Sequence, residues 1–199
     1  KNQYSPLMTI RGDSTEYELL KIWCETLPFY EEPKSVKTCE IGVREGLGSQ
    51  LIILTIKGRI GKVPYEHIGI DPYNDAAYQH YDNTTAYKSD YNDNMRIQLL
   101  KDFANNEHFK LHHCTDVEYM NSNSSENLIF DLVYFDGPHR TQDVVREAVW
   151  FADRSRKGTR FIFDDFRFYT IEDVAKLLAH WGFNIIGSGA SKICLQRMK

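Results

Sequence analysis

Disulfide-type cysteine pairs, long apolar runs and a strong excess of one charge are all missing from this sequence. The four cysteines are far apart and none is in a CxxC pair, which favours buried free thiols in a reducing compartment. No run approaches the roughly 18 apolar residues of a membrane helix, and the N-terminus lacks a signal-peptide pattern. We therefore expect a cytoplasmic protein with no membrane association. The net charge of −4 gives no reason to expect nucleic-acid binding.

Size and composition predict one globular domain. The chain has 199 residues, of which 42% are hydrophobic and 13% aromatic, enough to bury a core without a disulfide or a metal. We expect a single domain over residues 1–199, with an N-terminal helical segment over 1–34 and a core over 35–199. The sequence leaves the oligomeric state open, and a homo-oligomer is one alternative.

Strand-like and helix-like segments alternate along almost the whole core. Strands are predicted at "VKTCEI", "EHIGID", "FKLHHCT", "LIFDLVYFD" and "TRFIFDD", with helical segments between them. At the end, "FNIIGSGASKICLQR" places two strands too close together for a helix, which predicts an antiparallel hairpin. The expected fold is α/β: a three-layer Rossmann-like sandwich with a mostly parallel seven-stranded sheet and an antiparallel final hairpin.

Two local patterns carry less specific expectations. Asp13 and Glu16 resemble a capping box at the start of a helix that runs to Leu27. The tyrosine-rich segment (residues 73–93) is interpreted as a short helix plus an inserted loop. This segment is either a packed surface loop or a lid over a substrate.

Acidic residues follow nearly every predicted parallel strand. Ligands of open α/β sheets bind at the carboxyl ends of the strands, and helix capping explains only one or two acids there. Asp116 as a helix cap remains an alternative, as do Asp164 and Asp165 as caps or surface charges that bind no metal. The acids are Glu40, Asp71, Asp116, Asp136, Asp164 and Asp165.

A glycine-rich loop follows the first predicted strand. Its spacing, G-x-x-x-G-x-G over Gly42, Gly46 and Gly48, is neither the dinucleotide motif nor a phosphate-binding loop, and no Lys follows it. Such a loop suits a ligand without phosphates, although a tight strand-to-helix turn would also use glycines. Asp71, at the end of the second strand, can accept both hydroxyls of a ribose. A ribose without a pyrophosphate points to S-adenosylmethionine.

Four blocks, "CEIGVREGLGSQ", "GIDPY", "DLVYFDGPH" and "FIFDD", together resemble the class I S-adenosylmethionine-dependent methyltransferases over about residues 35–199. Within that family, "FDGPH" followed by "FIFDD" is similar to metal-dependent sugar O-methyltransferases that modify macrolides. The resemblance implies Mg²⁺ at Asp136, Asp164 and Asp165, and His139 as the base. It implies a cofactor site formed by Glu40, Gly42, Val43, Gly46, Ser49, Asp71 and Asp116.

The chemistry expected from this resemblance is methylation of a small-molecule or sugar hydroxyl. A neutral hydroxyl is a poor nucleophile at pH 7, so a cation and a base would both help. His139 is a candidate base, with a loop role as its alternative, and Asp136 could serve instead if no metal is bound. An NAD(P)-type oxidoreductase and a non-catalytic S-adenosylmethionine-binding module remain the alternative functions. The sequence does not identify the acceptor.

Overall fold

The structure, a computed structural model, describes residues 10–73, 77–88 and 90–199. Two short 3₁₀ helices, Phe166–Phe168 and Ala179–Trp181, accompany the longer elements. The α-helices are α1 Tyr17–Glu25, α2 Leu47–Ile60, α3 Asp93–Asp102, α4 Asp116–Ser122, α5 Thr141–Ala152 and α6 Ile171–Leu178. The strands are β1 Val36–Ile41, β2 Tyr65–Ile70, β3 Ala77–Tyr78, β4 Tyr87–Lys88, β5 Phe109–His112, β6 Phe130–Phe135, β7 Ser155–Phe163, β8 Phe183–Ser188 and β9 Ile193–Arg197.

The main sheet has seven strands in the order β5-β2-β1-β6-β7-β9-β8. The first five strands in this order are parallel, whereas β9 is antiparallel to both of its neighbours. This confirms the predicted mostly parallel seven-stranded sheet with a reversed final strand. The chain moves outward from β1 to β2 and β5, then returns to the other side of β1 as β6. The switch point therefore lies between the carboxyl ends of β1 and β6, where a ligand site is expected.

Alternate residues of the central strands face two separate cores, one on each side of the sheet. Along β6, Val133 and Phe135 pack with α5 and α6, whereas Leu132 and Tyr134 pack with α1, α2 and α3. Burial on both faces explains why the sequence of β6 is almost uniformly apolar. The result is the three-layer sandwich that the alternation predicts.

The cysteines are free thiols, as their spacing in the sequence predicts. All four cysteines lie in the described ranges and are free, and Cys24, Cys39 and Cys194 are buried. Among the described residues, no helix combines the length and the apolarity needed to cross a bilayer. The cytoplasmic location stays a prediction.

The predicted helix in the tyrosine-rich segment is wrong for the part that is described, since β3 and β4 form a small antiparallel pair there. The physical reason is local: "YDNT" supplies a turn, with Asn83 in the left-handed region at φ 58°, and no apolar 3.6-residue period opposes it. Residues 74–76 and 89 of this segment lie outside the described residues. The segment contacts the loop after β6, because the amide of His139 donates a 2.8 Å hydrogen bond to the carbonyl of His80.

The predicted capping box at Asp13 and Glu16 is also wrong. Glu16 has left-handed backbone geometry (φ 53°), and its side chain does not cap α1. Its carboxylate instead accepts hydrogen bonds from the amides of Ala190 and Ser191, at 2.7 Å each, and of Lys192, at 3.1 Å. These backbone amides, Ala190 foremost, lower the pKa of Glu16 to about 2. Three amides of the β8–β9 turn are better partners for a carboxylate than one amide of its own helix.

Candidate active site

A cavity of about 150 Å³ opens at the switch point, between the carboxyl ends of β1, β2 and β6. Four residues that the sequence assigns to ligand binding line it, each positioned after the end of a different strand. They are Gly42, Asp71, Asp116 and Asp136. The meeting of these loops at one edge follows from the parallel direction of the strands.

Gly42 allows the loop after β1 to pack against the end of β6. Its φ is +84°, and a Cβ built on it would lie 2.1 Å from the carbonyl oxygen of Asp136. Gly46 precedes α2 with φ +94°, where a side chain would overlap Leu99 and Phe103. Both glycines are thus required by the backbone itself, and Gly42 also borders the cavity.

Asp71 joins the glycine loop to the end of β2. It is buried, and its Oδ2 accepts 2.9 Å hydrogen bonds from the amides of Val43 and Arg44, while Oδ1 accepts one from the amide of Tyr73. Burial raises the pKa of this carboxyl, and the three amides oppose that rise. A carboxylate has about four acceptor positions, so about one remains for a ligand in the cavity. Val43 contributes to this contact only the backbone amide that donates to Asp71.

Glu40 and Ser49 lie beneath the loop in a buried polar chain. The Ser49 hydroxyl donates to Glu40, and Nε2 of His67 lies 2.9 Å from the same hydroxyl oxygen. Nδ1 of His67 lies 2.7 Å from Oγ1 of Thr38. Burial raises the pKa of Glu40 to about 8 and lowers the pKa of His67 to about 3. Among the described residues, neither Glu40 nor Ser49 lines the cavity, so their role toward a cofactor stays a prediction.

Asp116 borders the cavity from the first turn of α4. The cap of this helix is Thr115, which forms a capping box with Glu118, so Asp116 is not the capping residue. Its Oδ2 accepts a 2.8 Å hydrogen bond from Nη2 of Arg146. Asp116 therefore faces the cavity with one oxygen engaged in an ion pair.

A second cavity, of about 220 Å³, adjoins the first. Asp136, Arg44, His80 and Tyr91 line both cavities. Burial and the neighbouring charge of Asp164 raise the pKa of Asp136 above its usual range. The residues that line the second cavity but not the first include the predicted metal ligands Asp164 and Asp165 and the predicted base His139. The others are Asp13, Ser14, Thr15 and Tyr81.

The carboxylate of Asp164 is contacted by four donors that the sequence did not suggest as a group. Its Oδ2 lies 2.8 Å from Nζ of Lys192 and accepts hydrogen bonds from the hydroxyls of Tyr134, at 2.8 Å, and Ser14. Its Oδ1 accepts from the amide of Asp165 at 2.9 Å. Burial alone would raise the pKa of Asp164, but the charge and hydrogen bond of Lys192 lower it below its usual range.

These contacts bear on the magnesium ion implied by the resemblance. Mg²⁺ demands near-octahedral oxygen ligands at about 2.0–2.1 Å, whereas Oδ2 of Asp164 already has one ammonium and two hydroxyl partners. Among the described residues, no group of three His, Cys, Asp or Glu side chains has the arrangement of a metal site. The metal site at Asp136, Asp164 and Asp165 stays a prediction. The ammonium and hydroxyl partners of Asp164 do not fit a Mg²⁺ ion bound there.

His139 is buried among aromatic rings. Its ring stacks on Tyr169 and Tyr81 at centroid distances of 6.0 Å, and its Nε2 lies 3.7 Å from Oδ2 of Asp165. Burial lowers the pKa of His139 to about 3. The imidazole is therefore neutral at pH 7, and it is a weaker proton acceptor than the unperturbed pKa of about 6.5 suggests.

Lys192 and Arg44 are two positively charged residues near the site that the sequence did not indicate. Arg44 pairs with Asp13 and lies over the ring of Tyr91, 4.0 Å from its centroid. Lys192 is fully buried just before β9. In the sequence, Lys192 differs from other lysines only in that it directly precedes an apolar predicted strand.

Sequence comparison identifies a known domain in the chain. Residues 39–166 match the profile of a family described as a methyltransferase domain. No curated protein matches the chain.

Solved structures share the fold at low sequence identity. The O-methyltransferase NovP has a TM-score of 0.66 at 12% identity, with 92% of this chain and 79% of NovP covered. An O-methyltransferase from Bacillus cereus in complex with SAH has a TM-score of 0.63 at 12% identity, with 97% and 84% covered. CalS11, a TDP-rhamnose 3'-O-methyltransferase of calicheamicin biosynthesis, has a TM-score of 0.55 at 14% identity, with 90% and 76% covered.

Proposed function

Because this chain belongs to the methyltransferase-domain family, we propose that it transfers a methyl group from S-adenosylmethionine to a hydroxyl oxygen of a small, sugar-like molecule. One observation carries the proposal: Asp136 lines both adjoining cavities. Methyl transfer needs a donor and an acceptor in line, with a proton acceptor at the point where they meet. Asp136 occupies that position.

The first cavity is suited to the methyl donor. Asp71 supplies a buried carboxylate for the ribose, and the loop at Gly42 brings backbone close to the ligand. Asp116 supplies a further acceptor at the far side, where it would meet the adenine. The loop spacing and the reversed β9 argue against the NAD(P)-type alternative, whose motif the loop lacks.

The second cavity is suited to a ligand rich in hydroxyl groups. Asp13, Asp136 and Asp165 supply carboxylate acceptors for hydroxyl donors, and Tyr81 and Tyr91 supply ring surfaces. This combination of acids and rings complements a sugar, whose edges donate hydrogen bonds and whose C–H faces pack on aromatic rings. NovP and CalS11 are O-methyltransferases, and an oxygen acceptor is proposed for this chain by analogy.

The mechanism that follows assigns the proton to Asp136. The acceptor hydroxyl gives its proton to the Asp136 carboxylate, and its oxygen attacks the methyl carbon as the carbon–sulfur bond breaks. Bound S-adenosylmethionine would supply the activated methyl group and would leave as the neutral thioether S-adenosylhomocysteine. Asp136 suits this role better than His139, because burial raises the pKa of Asp136, which makes its carboxylate a stronger proton acceptor, whereas burial lowers the pKa of His139 to about 3. His139 then supports the acceptor side, next to Asp165.

Calorimetry tests the donor assignment. We expect S-adenosylmethionine and S-adenosylhomocysteine to bind and NAD not to bind. Asp71→Ala should lower the affinity at least about tenfold, because it removes a charge-assisted hydrogen bond of roughly 1.5–3 kcal/mol. Asp173→Ala, an exposed change on α6, is the matched control. Equal affinities in the two variants would remove Asp71 from the donor site.

A transfer assay tests the reaction itself. The chain is incubated with methyl-labelled S-adenosylmethionine and a panel of sugar nucleotides, glycosides, phenols and amines. We expect label in a sugar hydroxyl. Binding of the donor with no transfer to any acceptor would favour the non-catalytic binding module, and transfer to amines alone would contradict the oxygen acceptor.

A further inference from the structure

Lys192 places a buried positive charge inside the acidic cluster of Asp136, Asp164 and Asp165. Its side chain is fully buried, and its Nζ contacts Oδ2 of Asp164 at 2.8 Å and Oγ of Ser14 at 2.5 Å. The same nitrogen lies 5.3 Å from the ring centroid of Tyr134 and 5.6 Å from that of Tyr17. A buried ammonium is tolerated only with such partners. Lys192 is thus built into the site.

The backbone around Lys192 is held as firmly as its side chain. Glu16 accepts hydrogen bonds from three consecutive amides, which end at that of Lys192. The turn is also closed by the amide of Gly189, which donates to the carbonyl of Lys192 at 2.7 Å. The start of α1 therefore fixes the turn from which the lysine reaches Asp164. This contact explains why Glu16 does not cap its own helix.

From this arrangement we propose that the ammonium of Lys192 is the resident cation of the acidic cluster and takes the place of a divalent metal ion. The cluster needs a cation because three carboxylates at one site repel one another. Lys192 meets that need from within the chain. The catalytic part of this inference rests on the proposed function: proton removal by Asp136 then proceeds without a metal.

The geometry leaves little room for both cations. A divalent ion bound by Asp164 would displace the ammonium or lie within a few ångström of it, where repulsion in a buried site is strong. An ion bound to Oδ2 would also have to replace the hydroxyls of Ser14 and Tyr134 on that oxygen. Lys192 and Mg²⁺ are therefore alternatives at this cluster.

Manganese binding tests the inference without any methyl acceptor. Free Mn²⁺ is followed by electron paramagnetic resonance while protein is added, for the wild type, Lys192→Met and Lys192→Arg. We expect a Kd above about 1 mM for the wild type and for Lys192→Arg, each of which keeps an internal cation, weaker than most dedicated carboxylate sites for divalent ions. Lys192→Met should bind one Mn²⁺ at least tenfold more tightly. Lys176→Met, an exposed change on α6, should behave as the wild type.

Two results would overturn the inference. The first is a wild-type protein that binds one Mn²⁺ with a Kd below about 1 mM and loses this site in Asp165→Asn. The second is a folded Lys192→Met protein with no gain in Mn²⁺ affinity. Should Lys192→Met fail to fold, the wild-type titration decides alone.

The catalytic part has its own measurement. Once an acceptor is found, the initial rate should be the same in EDTA and in Mg²⁺, and a rate abolished by EDTA and restored by Mg²⁺ would contradict the inference. If no acceptor is methylated at all, the proposed function fails while the manganese result stands unaffected.

Discussion

The ammonium nitrogen of Lys192 lies 2.8 Å from Oδ2 of Asp164, and both side chains are buried. The two residues flank adjacent antiparallel strands, since Lys192 immediately precedes β9 and Asp164 immediately follows β7. The pair connects the end of the sheet to the candidate acceptor cavity, which Asp164 lines. Its energetics can be measured apart from any activity.

Removal of one partner should be more damaging than removal of both charges. Lys192→Met should lower the free energy of unfolding by about 3–5 kcal/mol, because it leaves a buried carboxylate without its cation. Adding Asp164→Asn to Lys192→Met should recover most of that loss, since the amide keeps an acceptor for Ser14 and Tyr134. Urea unfolding of the two single variants and the double variant gives the coupling energy. Strictly additive losses would show that the pair contributes no coupling.

The glycine loop offers a matched pair of substitutions. Gly42→Ala should destabilise the fold and perturb the donor cavity, because its φ is +84° and the new Cβ would lie 2.1 Å from the carbonyl oxygen of Asp136. Gly58→Ala should stabilise the fold by about 0.5–1 kcal/mol, because Gly58 lies within α2 with no heavy atom within 4 Å of the added Cβ. Thermal unfolding compares the two variants. A Gly42→Ala protein as stable as the wild type would contradict the close packing of the loop on β6.

The two candidate bases can be separated kinetically. Asp136→Asn should lower kcat by about 10² to 10⁴, because it removes the proton acceptor. His139→Ala should cost less, because the lowered pKa of His139, about 3, makes it a poor acceptor. Steady-state rates on an accepted substrate, with donor affinity measured in parallel, test this order. The reverse order, with His139→Ala the more damaging change, would make the histidine the base.

Glu40 should give stability an unusual dependence on pH. Its folded pKa of about 8 exceeds the ordinary 4.5, so the folded state holds a proton that the unfolded state releases between these values. This contribution is fully favourable below about pH 4.5 and declines as the pH rises toward 8, at up to roughly 1.4 kcal/mol per pH unit. In Glu40→Gln, which cannot ionise, the decline should be smaller. Urea unfolding from pH 5 to pH 8.5 measures both slopes, and equal slopes would contradict the raised pKa.

The buried histidines act in the opposite direction at lower pH. Burial lowers the pKa of His67 to about 3 and that of His139 to about 3, so below about pH 6.5 protons bind the unfolded state first. Their contribution to stability is present above pH 6.5 and is lost as the pH falls. Because the histidines also make stability depend on pH, the free energy of unfolding of Glu40→Gln should be compared with that of the wild type at each pH.

The order of strands and helices could be predicted from the sequence because each depends on a local pattern. The apolar run of β6, the glycines at 42, 46 and 48, and the acids at the strand ends are all visible within a few residues of sequence. Once the strands are parallel, their carboxyl ends must share one edge. Asp71, Asp116 and Asp136 accordingly line one cavity, and their roles toward a ligand stay predictions.

The partners of the charged side chains were decided only by the tertiary structure. Ser14 and Asp164 are separated by 150 residues, and no periodicity relates Glu16 to the turn at Ala190. Their contacts exist because β9 inserts between β7 and β8 and brings its preceding turn against the start of α1. The burial that lowers the pKa of His139 depends on that packing. The ion pair between Asp164 and Lys192 depends on it as well. The sequence alone therefore located the acids of the site, and only the fold could assign a cation to them.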